Sequence, residues 1–173
     1  MKALFHDIIL GWAKSNHLLQ PGRRIADIGA FNINGSVSNI LPSADIVGFD
    51  ICDGPGVDVV IEPGSIPLKH RHMYDAAVST SSFQFCPYPA LYLEQIANLL
   101  KPGGFLLLTM CSDTCNQTHT TSPNQFQYTD YLRSTLDDLI HLFDTSGFVK
   151  INAYQLSDAP CNTIIYDGKL DCP

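Results

Sequence analysis

Apolar positions along the chain fall into two rhythms, a helical spacing of three and four residues and short continuous runs, and these alternate from one end to the other. Residues 2–19 carry Leu4, Phe5, Ile8, Ile9, Trp12 and Ala13 at helical spacing, which predicts an amphipathic helix ended by Pro21-Gly22. A short apolar run at 24–28 reads as a strand, followed by a short segment to Leu41, a strand at 46–50, a Gly/Pro turn, a strand at 57–61 and another at 75–80. Pro89 suits the first turn of a helix with Tyr92, Leu93, Ile96, Leu99 and Leu100 on its apolar side, and Lys101-Pro-Gly-Gly104 should stop it. Phe105 to Met110 is continuously apolar, as expected of a strand buried on both faces. Residues 111–128 are polar and irregular, and a connection this long suggests a lid or substrate loop. Thr135 can cap a helix carrying Leu136, Leu139, Ile140 and Phe143, closed by Gly147. Two strands, near 148–155 and 162–166, end the pattern, and the short link Ser157-Asp-Ala-Pro160 suits an antiparallel pair.

Strands alternating with helices predict an α/β fold: an open, mostly parallel sheet with helices on both faces and a C-terminal antiparallel hairpin. The 173 residues suffice for one compact domain, and no repeat or linker divides 1–173. A net charge of −7 disfavours a nucleic-acid partner, because that affinity comes largely from Lys and Arg releasing counterions. No window holds the roughly 18 apolar residues of a membrane span, and the N-terminus lacks the parts of a signal peptide. A soluble, cytoplasmic protein is therefore expected. The six cysteines are spread along the chain and read as thiols; Cys111 and Cys115 have no second pair at metal spacing, so no metal is expected.

In sheets of this kind ligands bind beyond the carboxyl ends of the strands. Those ends here are Asp27-Ile-Gly29, with Asn34-Gly35 shortly after, then Asp50, then Glu62, then Ser79-Thr80-Ser81-Ser82. Gly29 would let backbone approach a ligand closely. Asp50 follows Asp27 at about the 20-residue spacing at which dinucleotide folds place a ribose-binding acid. Taken singly, Asp27 or Asp50 is equally a helix-capping or turn carboxylate. Three acids at three successive strand ends favour a ligand.

Together these segments resemble the class I S-adenosylmethionine-dependent methyltransferases, in particular the small type 11-like members. The resemblance runs from about Arg24 to Phe148: Asp27-Ile-Gly29 matches the first motif, Val47-Gly-Phe-Asp50 the second, and Leu100-Lys-Pro-Gly-Gly-Phe105 the turn into the fifth strand. Asn34-Gly-Ser36, Gly54-Pro-Gly-Val-Asp-Val-Val60 and Asp130-Tyr-Leu-Arg133 also have counterparts in several members. The resemblance implies a Rossmann-like class I methyltransferase fold with S-adenosylmethionine as cofactor. It places the methionine part on the loop of Asp27, Gly29, Ala30, Asn34 and Gly35, the ribose hydroxyls on Asp50 with Ile51 beside it, and the adenine amino group on Glu62. The backbone around Ser79 would face the sulfonium.

The implied reaction is an in-line displacement at the methyl carbon, in which positioning supplies most of the catalysis, so no triad or metal is needed and no general base is assigned. Two positions depart from the family pattern. Pro63 lacks the backbone N–H commonly aimed at adenine, and Gln84-Phe85 stands where members often carry an acid-histidine pair. The Asn/Asp-Pro-Pro-aromatic signature of nucleobase amino methylation is missing. On the acceptor side His119, Tyr128, Tyr131 and Arg133 are candidates; each tyrosine is otherwise a half-buried aromatic, Arg133 a partner of Asp130 or Asp137, and His119 a solvated loop residue. Three functions follow: methyl transfer to a small-molecule, saccharide-like or peptide acceptor; a methyltransferase-fold module that binds a partner; and a nicotinamide-dependent oxidoreductase.

Overall fold

The computed structural model describes residues 3–33, 35–62, 65–115, 131–157 and 162–171. The elements are α1 (Ala3–Ser15), β1 (Arg24–Ile28), α2 (Val37–Ile40), β2 (Asp45–Asp50), β3 (Val59–Val60), β4 (Tyr74–Thr80), α3 (Pro89–Leu99), β5 (Leu100–Cys111), α4 (Leu136–Thr145), β6 (Phe148–Leu156) and β7 (Thr163–Leu170). Single 3-10 turns stand at Leu68–His70 and Phe83–Phe85.

Seven strands form one sheet in the order β3-β2-β1-β4-β5-β7-β6. The first five are parallel, and β7 runs antiparallel between β5 and β6. This is the Rossmann-like class I methyltransferase architecture, α/β with a C-terminal antiparallel hairpin. The chain reverses its direction of winding between β1 and β4, which creates a crevice at their carboxyl ends.

Alternation along the central strands supplies two cores. Ile25, Ala76, Val78, Leu107 and Ile165 face Ile9, Trp12 and Ala13 of α1 and Val37 and Ile40 of α2. Ala26, Ala77, Leu106, Leu108 and Met110 face Leu93, Ile96 and Leu99 of α3 and Leu139 and Phe143 of α4. Phe143 stacks on Tyr166 of β7 with ring centroids 3.9 Å apart. At the opposite end of the sheet from the crevice, Asp75 accepts hydrogen bonds from the Arg24 N–H (2.9 Å), Arg23 Nη1 (3.0 Å) and Lys101 Nζ (2.9 Å), tying β1, β4 and β5 together. Burial alone would raise its pKa; those three donors outweigh it and hold the carboxyl below the ordinary value.

Several boundaries differ from those the sequence predicts, each for a local reason. Helix α1 ends at Ser15, before Pro21-Gly22, because His17 takes a left-handed backbone (φ 56) and the Leu18 N–H returns to the Ala13 carbonyl at 2.8 Å. Strand β3 shortens to two residues: the Val57 N–H turns back to the Gly54 carbonyl, and Asp58 exchanges hydrogen bonds with Gly48, its N–H to the Gly48 carbonyl and its Oδ2 from the Gly48 N–H. Strand β5 begins at Leu100, so Lys101-Pro-Gly-Gly104 lies inside it as an irregularity where pairing jumps from Tyr74↔Leu100 to Ala76↔Phe105. Strand β7 extends to Leu170 through the polar stretch Asp167-Gly168-Lys169. Asp167 is engaged by Trp12 Nε1 at 2.9 Å, and Gly168 leaves room for the Tyr166 ring. Among the described residues no helix is long and apolar enough to cross a membrane.

Candidate functional site

Two loops meet over the carboxyl ends of β1 and β2. The loop after β1 begins with the N–H groups of Gly29 and Ala30 both donating to the Phe49 carbonyl (2.8 and 3.1 Å). The loop after β2 folds back so that the Asn32 N–H reaches the Pro55 carbonyl at 2.7 Å, and the Phe31 ring packs against Gly54. A Cβ on Gly54 would sit 2.3 Å from Phe31 Cε2, so the Gly-Pro-Gly turn is shaped by this contact. Asn32 Oδ1 accepts from the Gly35 N–H at 2.9 Å, and Gly35 has φ 119, a backbone angle that favours glycine. Asn34 lies outside the described residues, as do His119, Tyr128 and Pro63.

The two acids hold this arrangement. Asp50 Oδ2 accepts from the Phe31 N–H (3.0 Å) and Oδ1 from the Cys52 N–H (3.1 Å), which fixes the carboxylate and leaves further lone pairs on each oxygen. Asp27 is 7% exposed and accepts from the backbone N–H of Val37, the first residue of α2. Removal from water pushes its carboxyl up to about 7; the Val37 N–H acts in the other direction, and the neighbouring Asp50 charge adds to the rise. Both acids thus serve local backbone as well, so the capping and turn roles open to them in the sequence are realised in part. Among the described residues, no Lys, Arg or His forms an ion pair with either.

The remaining expected residues divide. Ala30 is buried under the loop crossing, while Ile51 is 53% exposed beside Asp50. Glu62 is exposed just beyond β3 and bridges to Ser65, whose N–H donates to its carbonyl at 2.9 Å. Gly29 makes its close approach within the chain: at φ 80, its missing side chain leaves room for Ser82, whose Cβ would lie 2.4 Å from a Cβ there. Ser79 is fully buried, with its hydroxyl 2.7 Å from Ser82 Oγ and 3.5 Å from Tyr92 Oη, and Ser82 Oγ donates to the Ile28 carbonyl. Ser81 is the exposed residue at the strand end, with a left-handed backbone (φ 55).

Ser79 and Ser82 are marked in the sequence as a strand end, but the hydroxyl network that joins them to Tyr92 is not. The i, i+3 spacing of Ser79 and Ser82 is the signal that could have suggested it.

Past β4 the chain forms the wall nearest β5. Gln84 is almost wholly buried; its carbonyl accepts from the Tyr131 and Leu132 N–H groups (2.9 and 3.0 Å), and its Nε2 lies 3.8 Å from Cys111 Sγ. This brings Tyr131 and Arg133 to the β4–β5 side of the crevice, Tyr131 58% exposed and Arg133 half-buried. Among the described residues no group of three or more His, Cys, Asp or Glu could hold a metal ion.

Residues 34–108 match the family model of a methyltransferase domain. Solved structures with the same fold include the 1,6-didemethyltoxoflavin-N1-methyltransferase of Burkholderia thailandensis, with bound 1,6-didemethyltoxoflavin and S-adenosylhomocysteine. It is 13% identical with TM-score 0.71, covering 96% of this chain and 78% of that one. An S-adenosylmethionine-dependent methyltransferase from Methanosarcina mazei is 16% identical with TM-score 0.69, covering 100% and 99%. The putative methyltransferase in complex with the Trm112 methyltransferase activator of Haloferax volcanii is 15% identical with TM-score 0.68, covering 98% and 96%. At these identities the likenesses show the fold. No curated protein matches the chain by sequence. The matched segment runs from Asn34 in the loop after β1, through the end of β2, to the turn into β5; over it the chain is similar to the methyltransferase domain family, and its fold is the Rossmann-like class I methyltransferase fold.

Proposed function

We propose that the chain, acting as one domain, transfers the methyl group of S-adenosylmethionine to a small-molecule, saccharide-like or peptide acceptor. The observation that carries this is the pair of carboxylates ending β1 and β2 beside the switch point, fixed by loop N–H groups and without a cationic partner among the described residues. That pair of acceptors fits a ligand with vicinal hydroxyls and positive charge. Each Asp50 oxygen has a lone pair left for a ribose hydroxyl, and its orientation is fixed by Phe31 and Cys52. Ile51 offers an exposed apolar face to adenine, Glu62 an acceptor for its amino group, and the loop of Ala30, Asn34 and Gly35 surrounds the methionine end. Asp27 contributes negative charge near the sulfonium.

The cofactor supplies an electrophilic methyl carbon on a sulfonium leaving group. The chain's own part is to orient and to exclude water. Ser79, Ser82 and Tyr92 form a hydroxyl network that holds the end of β4 rigid, and burial keeps the Tyr92 phenol protonated by pushing its pKa up. Tyr131 and Arg133, with His119 and Tyr128, contact the acceptor; Arg133 suits a carboxylate or phosphate on it.

The contact of Ser82 with Gly29 favours a second reading, because it fills with the chain's own side chain a place where a ligand could approach backbone. In that reading the fold is a partner-binding module with weak or absent cofactor binding; the Haloferax volcanii neighbour is a methyltransferase held in a protein complex. Calorimetric titration with S-adenosylmethionine, S-adenosylhomocysteine and NAD separates the two. Micromolar binding of the sulfonium cofactor supports methyl transfer, and a labelled methyl donor then identifies the acceptor. No nucleotide bound at millimolar concentration leaves the binding module.

A further inference from the structure

Asp27 is a buried carboxyl group without a counter-ion among the described residues, at the carboxyl end of β1 beside the switch point. From β2 it faces Asp50, and from β4 it is in register with Val78, which is neutral. Beyond β4 stand the hydroxyls of Ser79 and Ser82, and from α2 the Val37 N–H with Ser36 before it. Tyr92 on α3 reaches this network as a neutral phenol. Of these groups only Asp50 is a charge, and its sign is the same. With its carboxyl pushed up to about 7, Asp27 holds or releases a proton near neutral pH according to the charge placed beside it.

We propose that Asp27 is a specificity-determining residue that separates S-adenosylmethionine from S-adenosylhomocysteine by exchanging a proton: the sulfonium form is held with Asp27 ionised, the thioether form with Asp27 protonated. The proposal rests on the cofactor reading above. The two ligands share their ammonium and carboxylate and differ by one positive charge at sulfur. Binding of the sulfonium form sends the Asp27 proton to solvent. In methyl transfer the acceptor's lone pair forms the new bond to the methyl carbon, the S–C pair stays on sulfur, and sulfur becomes neutral. Asp27 then takes up a proton from solvent, which removes the charge preference that held the ligand.

The test is isothermal titration of the full chain with each ligand separately at pH 5.5 and 7.0, in two buffers of different ionisation enthalpy. The affinity ratio of S-adenosylmethionine to S-adenosylhomocysteine should rise on the order of tenfold between those pH values, with a buffer-dependent heat of proton release for the sulfonium ligand alone. The α-amino group, common to both ligands, cancels in the ratio. In Asp27→Asn the ratio should be independent of pH; should that variant not fold, the wild-type proton release decides by itself. Binding of both ligands with a constant ratio and no difference in proton release overturns the role of Asp27 and leaves the cofactor reading standing. Failure of both ligands to bind at either pH overturns the cofactor reading, and the proposal with it.

Discussion

A methyl group on Gly29 would lie 2.4 Å from Ser82 Cβ, on backbone at φ 80 that L side chains rarely adopt. Gly29→Ala should therefore destabilise the fold by about 2 kcal/mol or more, read as a lowered midpoint in urea. Ser82→Gly in the same chain should recover the part due to the clash and leave the part due to the backbone angle. Asp27 makes an opposite kind of contribution. Its carboxyl is raised in the fold from 3.8 to about 7, so the protonated form favours folding. That stabilisation is fully present below about pH 4 and is lost as pH rises through about 7. Asp27→Asn should accordingly gain thermal stability relative to wild type at pH 8 and lose that advantage at pH 4; equal differences at both pH values would contradict the burial of the acid.

Asp75 shows how separate elements depend on one side chain, since it joins the N-terminal ends of β1 and β4 to the irregular start of β5. Asp75→Ala leaves the Arg24 N–H without its acceptor and should cost about 2 kcal/mol. Because its carboxyl sits below the ordinary value in the fold, the stabilisation is present above about pH 4 and is lost as pH falls through the lowered pKa; the variant's deficit should shrink in acid, measured by denaturant midpoints at pH 7 and pH 3. The elements with clear periodicity were legible in the sequence: β1, β2, β4, α3 and the Thr135-capped α4 stand within about a residue of their predicted places. What was hidden depended on partners far away in the chain. Gly103 with φ 72 looks like a helix stop until β4 is beside it, and Asp167 looks like the end of a strand until Trp12 arrives to bond it. Val57 and Asp58 have strand composition but are spent on the turn over Gly48.

At the scale of the molecule, the order of the strands determines what the residues can do. The acids that end β1 and β2 are ordinary caps when read one at a time, and each does bond neighbouring backbone. The parallel sheet sets them side by side at a reversal in winding, where a ligand is expected. The positions of Asp27, Gly35 and Asp50 at the strand ends and in the loop after β1 were legible, because they are marked by strand ends and by spacing. The serine and tyrosine network behind them was not, since it depends on α3 folding back over β4. The central claim is that this crevice holds a sulfonium cofactor through Asp50. Calorimetric titration of S-adenosylmethionine into wild type and Asp50→Ala tests it most directly. The account predicts micromolar binding to wild type and a loss of tenfold or more in the variant, about 1.4 kcal/mol or greater. Equal affinity in the two proteins, or no binding to wild type at millimolar cofactor, would contradict it.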